Sequence, residues 1–328
     1  MIAKFFINKD KLSYFLIPIV AFFLIVPQYF NSLPLSEITY KNSFLFSNIF
    51  ECLNDSTLLI LNLIFNISNA YLLSFLCTKH ELTENQNELP TLFYLIISAS
   101  LGFTATFHPV IPATTILLFS INKLFVIYRE ENSLTTIFDA SFLLSLSFLI
   151  YSPFMVFILL PIITLLIMKP FKINEWIASI TGLFMPFFIL TMFLYVLNRD
   201  FIEIFKVFSN TILKINPFIF NPSLIIFHII LIILILYSIY FLYSRINMFK
   251  VKSQKSIHVF LWMIAFGTIG IFLINEFNLL FFTLFIIPTS VFLANYIGRI
   301  RRKWIREFLT VSLLIGLICS NLQFLGIL

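Results

Sequence analysis

Eleven apolar runs, separated by short polar connections, follow one another along this chain. They lie near 13–33, 56–77, 91–107, 112–128, 137–151, 153–168, 176–197, 222–243, 256–275, 278–297 and 306–326. A run of about 20 apolar residues is long enough, as a helix, to cross a hydrocarbon core of ~30 Å. Composition closes off the alternative of a water-soluble domain. Of the 328 residues, 60% are hydrophobic and 11% charged, and the mean hydropathy is +1.02. A soluble domain has about one quarter of its residues charged, because charge has to cover its surface. The expectation is an all-α, polytopic transmembrane helical bundle of about eleven spans.

The basic residues orient it. With the N-terminus inside, the cytoplasmic segments hold 17 of the 21 Lys and Arg residues, among them Lys79, Lys169, Lys172, Lys250, Lys252, Arg301 and Arg302. The outer segments hold only Lys41, Arg199, Lys206 and Lys214. Lys and Arg near span ends set insertion, and a miscounted span would exchange the two sides partway along and blur this contrast. The first run, after Lys4, Lys9 and Lys11, resembles a signal peptide. It continues to Leu33 without a small-x-small cleavage site, so it is expected to stay as a span. Ser152-Pro153 is expected to be a tight turn, since 137–168 as one helix would exceed any bilayer.

Other features exclude more than they identify. The net charge of +6 is explained by membrane orientation, and no nucleic-acid motif accompanies it. Cys52, Cys77 and Cys319 have neither disulfide-framework nor zinc spacing. The 44 phenylalanines, with abundant Ile, Asn and Lys, read as the codon bias of an AT-rich genome. No Walker loop, GxGxxG, HExxH or GxSxG motif is present, and no cofactor is identified.

Polar residues inside the apolar runs are the candidates for function. Asn62, Asn66 and Asn69 share one helix face at i, i+4 and i+7. Amides are costly in hydrocarbon without partners, so this face lines a substrate cavity or binds neighbouring helices together. Asp139, in FDAS, is expected to cap the fifth span. His108, before Pro109 at the outer end of the third span, suits anion binding, proton transfer or a structural turn. Two outer segments, 43–55 and 199–214, have apolar and polar residues at helical spacing and suit amphipathic helices lying on the outer leaflet. The basic stretch 298–306 serves as a topology anchor or attracts anionic lipid.

Two resemblances follow from these segments. MIAKFF, TIFDASFLLSLSFLIYSPF (136–154) and KPFKINEWIASITGLFMPFF (169–188) resemble a family of polytopic inner-membrane proteins from Bacteroidota. That resemblance implies a multi-pass protein of the bacterial inner membrane, and no activity. The order of parts is also similar to the GT-C glycosyltransferase superfamily, which takes sugars from polyprenyl-phosphate carriers. The corresponding pieces are Glu37 in the first outer loop, the 43–55 helix and FHPVIP (107–112). This second resemblance implies a GT-C-like module over 1–200 within a single integral membrane domain, with 222–328 as a C-terminal helical bundle. It gives Glu37 the role of base toward an acceptor hydroxyl, with His108 nearby and Arg199 or Lys206 on the phosphate. A leaving phosphate needs cations or a divalent metal, but no ligand spacing here indicates one. The chain departs from the superfamily in having a lone Glu37 where an acidic motif is usual, and His108 without a carboxylate in the next outer loop. The expected partners are the lipid bilayer, a polyprenyl-phosphate-linked sugar and envelope proteins. Two other functions stay open: a non-catalytic subunit or scaffold of an envelope assembly, and a transporter or lipid flippase.

Overall fold

The computed structural model describes residues 6, 11–30, 55–83, 87–101, 107–196, 222–273 and 279–324. Over these residues the chain is helical and contains no strand. The α-helices are α1 (Lys11–Phe30), α2 (Asp55–Lys79), α3 (Leu89–Ser100), α4 (Val110–Val126), α5 (Leu134–Ile150), α6 (Leu160–Met168), α7 (Ile173–Val196), α8 (Pro222–Ser244), α9 (Val251–Leu273), α10 (Ile286–Arg299) and α11 (Lys303–Phe324). Tight 3-10 turns, Ser152–Leu159 and Leu279–Phe285, lead directly into α6 and α10. Among the described residues, four helical stretches are long and apolar enough to cross a membrane: Ser56–Lys79, Ile173–Val196, Phe227–Ser244 and Phe282–Arg299.

α7 shows why these helices suit lipid rather than water. Its exposed side is a stripe of Ile177, Ile180, Phe184, Phe188 and Met192. Its buried side carries Ser179 and Gly182 among Leu183, Pro186 and Leu190. A helix in water has the reverse arrangement, with polar residues outside. In lipid, apolar burial between helices gains little, so small residues that let backbones approach form the seam. At Gly182 an added Cβ would lie 2.6 Å from the Phe138 carbonyl oxygen of α5. Close by, the Ser141 and Ser179 hydroxyls are 3.2 Å apart, and Ser145 Oγ donates to the Leu183 carbonyl at 2.6 Å. On the opposite side of α5, Ser120 Oγ of α4 donates to the Ala140 carbonyl at 2.7 Å. The hydroxyls that do face outward bond to their own helix, as Thr181 does to Ile177 and Thr191 to Phe188.

α3 is at the centre. All twelve of its residues are buried, and it packs against α1, α2, α10 and α11. The run expected over 91–107 is helical here only over Leu89–Ser100, and 102–106 are outside the described residues. A helix enclosed on every side by protein does not have to match the bilayer thickness.

A continuous set of contacts joins alternate connections at one end of the bundle. The Glu88 N–H donates to the Phe6 carbonyl at 2.8 Å. Lys250 pairs with Glu81, Ser253 Oγ donates to the His80 carbonyl, and Asn295 Nδ2 donates to the Leu82 carbonyl. Lys255 Nζ lies over the Tyr128 ring and donates to the Met168 carbonyl. Every described Lys and Arg outside α1 belongs to this basic end. At the far end the His108 and Tyr151 rings meet edge to face, and His228 lies against Phe282.

Two expectations are resolved here. Tyr151 is extended between α5 and the Ser152–Leu159 turn, and Lys169 returns to Ser133 at the start of α5, so 134–168 is a hairpin. Asp139, however, is not a cap. α5 begins at Leu134, which puts Asp139 inside the helix, where its carboxylate pairs with Lys123 of α4 at 3.1 Å. Polar Thr135 and Thr136 extend the helix beyond the apolar run, moving its start away from Asp139.

Candidate functional site

α1 and α7 run away from the basic end, whereas α2 and α8 run back to it. The described helices on either side of 31–54 and of 197–221 therefore end and begin at the far end. At the basic end, by contrast, the links are short, such as 127–133, 169–172 and 300–302. Glu37, Arg199, Lys206 and both expected amphipathic segments fall in these two long stretches. Apart from Asp55, which opens α2, they lie outside the described residues.

His108 is described, and it is buried at the far end in the connection between α3 and α4. The Val110 N–H donates to its Nδ1 at 3.1 Å, so the ring satisfies an amide in the first turn of α4. An Nδ1 that accepts leaves the proton on Nε2 in the neutral ring. Burial favours that neutral form, lowering the imidazole from 6.5 to about 3. As held here, His108 is a neutral hydrogen-bonding group in contact with Tyr151, and a poor proton acceptor at neutral pH.

The three asparagines of α2 are fully buried. Asn66 Nδ2 donates to the carbonyl of Asn62 at 3.0 Å and also to its side-chain oxygen. Asn69 Nδ2 donates to the Ile111 carbonyl at 3.0 Å and to Thr114 Oγ1 at 2.9 Å, both on α4. Thr114 in turn donates to the Ile111 carbonyl at 2.7 Å, and Tyr94 of α3 joins the same group. The structure thus brings Asn69, Thr114 and Tyr94 into one network across α2, α3 and α4. Asn62 and Asn66 bond to each other within α2. The Asn66 and Asn69 side-chain carbonyls remain buried without a hydrogen-bond partner.

A second polar cluster, at the basic end, is not apparent from sequence. Lys169 Nζ is 2.9 Å from Glu175 Oε1, and their side chains are 7% and 5% exposed. The same ammonium donates to the Glu130 carbonyl and to Ser133 Oγ, and Ser133 donates to Glu175 at 3.0 Å. Sequence patterning used only one of these groups, Lys169, as a topology charge. Only the hairpin brings them together. Among the described residues no three His, Cys, Asp or Glu side chains gather to hold a metal.

Comparison with protein-family models, with curated proteins and with solved structures finds no match for this chain.

Proposed function

We propose that this is a multi-pass protein of a bacterial inner membrane, with its basic end in the cytosol, which handles a polyprenyl-phosphate-linked sugar at its far, periplasmic end. The observation that supports this reading is the unequal distribution of chain between the two ends. The two longest links in the sequence, 31–54 and 197–221, join helices whose described ends lie at the face that carries His108, and in sequence these links hold Glu37, Asp200, Glu203, Arg199 and Lys206. The span order is similar to that of the GT-C superfamily. In such a transfer Glu37 takes the proton of an acceptor hydroxyl, whose oxygen displaces the carrier's phosphate at the anomeric carbon. Arg199 or Lys206 neutralises the departing phosphate.

Two experiments test this reading. Glu37→Gln is expected to remove the corresponding envelope glycan while leaving protein abundance unchanged; unchanged glycans in that strain would refute the catalytic role. Single cysteines introduced by Ser43→Cys and Glu131→Cys, with native cysteines replaced, are expected to react with an impermeant reagent in whole cells only at position 43. Labelling at 131 alone would invert the topology and remove the proposal with it.

A second reading, a non-catalytic subunit of an envelope assembly, draws support from the Asn66 and Asn69 amides, whose N–H groups are used up in bonds within the protein. It predicts that Glu37→Gln and His108→Gln are tolerated and that an envelope protein copurifies.

A further inference from the structure

Beside the Lys169–Glu175 pair a cavity of about 720 Å³ opens at the basic end, between the connection that precedes α5 and the one that precedes α7. Buried Glu175 forms part of its wall, already neutralised by Lys169 behind it. The two remaining charges on the lining are opposite in sign. Glu131 arrives from one connection and Lys172 from the other, and neither has an ion-pair or side-chain hydrogen-bond partner among the described residues. Asn132 and Asn174 add amide donors and acceptors, also unpaired.

The surroundings are apolar. Phe171 and Ile173 on the same lining are 65% and 64% exposed. Phe171 packs on Trp176, an aromatic pair suited to the level of the headgroups. Ser133, the residue placed to cap α5, makes no cap bond and donates to Glu175 instead, so the first-turn amides of α5 beside the cavity are also open to an acceptor.

We propose that this cavity binds the headgroup of a zwitterionic phospholipid carrying a primary amine, phosphatidylethanolamine being the type. The phosphate lies against Lys172 and the neighbouring amides, the ammonium donates to Glu131, and the glycerol and first acyl carbons rest on Phe171 and Ile173. A choline headgroup has no N–H to donate to Glu131. A glycerol headgroup satisfies Lys172 but offers Glu131 only neutral hydroxyls, with no ammonium to balance the carboxylate. The site is at the opposite end from the proposed sugar chemistry, so the two readings stand or fall separately.

The test uses the full-length protein in detergent, supplied with phosphatidylethanolamine, phosphatidylcholine or phosphatidylglycerol, and reads the lipid-bound fraction by native mass spectrometry. Phosphatidylethanolamine is expected to be retained about tenfold over the other two, the factor that one charge-assisted hydrogen bond supplies. Glu131→Gln and Lys172→Gln are each expected to abolish the preference. Both side chains are exposed and unpaired, so neither substitution should disturb folding. Lys123→Gln, whose partner Asp139 lies outside the cavity, is expected to keep the preference. Equal retention of the three lipids, or a preference that survives in Glu131→Gln and Lys172→Gln, would overturn the proposal. So would displacement of the lipid by an equal concentration of soluble glycerophosphoethanolamine, which would make the ligand a water-borne phosphoethanolamine.

Discussion

Lys169 Nζ and Glu175 Oε1 are 2.9 Å apart, and both side chains are almost fully enclosed where two helical hairpins meet. The pair joins the end of α6 to the start of α7, and through Ser133 and the Glu130 carbonyl it holds the start of α5 as well. Removing one member leaves a buried charge with incomplete partners, which costs about 3 kcal/mol or more. Lys169→Met and Glu175→Gln are each expected to lower the thermal midpoint in detergent by several degrees. The double variant should lose less than the sum of the two, because no unpaired charge remains. Additive losses would show that the two groups act independently.

The α5–α7 seam depends on the missing side chain at Gly182. An added Cβ would meet Phe138 O at 2.6 Å and Ser141 Cβ at 2.9 Å, which are backbone and near-backbone atoms that cannot swing aside. Gly182→Ala is expected to cost about 1–3 kcal/mol by forcing the helices apart, and Gly182→Leu to reduce the yield of folded protein. Ser145→Ala removes a single hydrogen bond and should cost about 0.5–1.5 kcal/mol. Size-exclusion recovery and unfolding midpoints check the seam, with Gly182→Leu expected to be the most damaged and Ser145→Ala the least.

How much of this was legible in sequence depends on the range of each interaction. Helix positions follow from apolar runs, a local property, and within the described residues each run overlaps a helix. Boundaries were less legible where polar residues extend a helix beyond its apolar run. α5 starts at Leu134 rather than 137 and α9 at Val251 rather than 256, and the first of these shifts made Asp139 a partner of Lys123 instead of a cap. The shared face of Asn62, Asn66 and Asn69 was visible as spacing. That Asn69 reaches α4 while Asn66 turns back to Asn62 depends on which helices pack together, and no local pattern records that. The Lys169–Ser133–Glu175 cluster was hidden for the same reason, since its members become neighbours only when the hairpins dock.

The division among the asparagines has measurable consequences. Asn69→Leu deletes both bonds to α4 and leaves Thr114 and the Ile111 carbonyl with one donor fewer, a loss of about 1–2 kcal/mol for an interhelical amide. Asn66→Leu deletes only bonds within α2 and removes a buried unpaired carbonyl, so its effect should be smaller or even stabilising. Unfolding midpoints decide between this and the transport reading. A passage lined by these amides predicts that the triple apolar variant loses uptake or flipping while staying folded.

His80 gives the bundle a pH dependence of defined sign. It is buried at the end of α2, its Nε2 is 2.9 Å from Asn122 Oδ1, and its ring meets Phe125 edge to face. Burial disfavours the imidazolium, and the nearby Lys252 and Lys79 ammonium groups disfavour it further, so that the pKa falls from 6.5 to about 4 although the Asn122 bond opposes the shift. Between these values the unfolded chain binds a proton that the folded chain does not. The stability associated with neutral His80 is therefore fully present above about pH 6.5 and is lost as the pH falls towards 4, with no further loss from this group below that. Glu81, which is paired with Lys250, sits in the same connection. His80→Gln keeps a hydrogen-bonding side chain but cannot titrate, and it is expected to flatten the midpoint-against-pH curve between pH 4 and 6.5. A curve for this variant as steep as that of the unmodified protein would assign the dependence to another group.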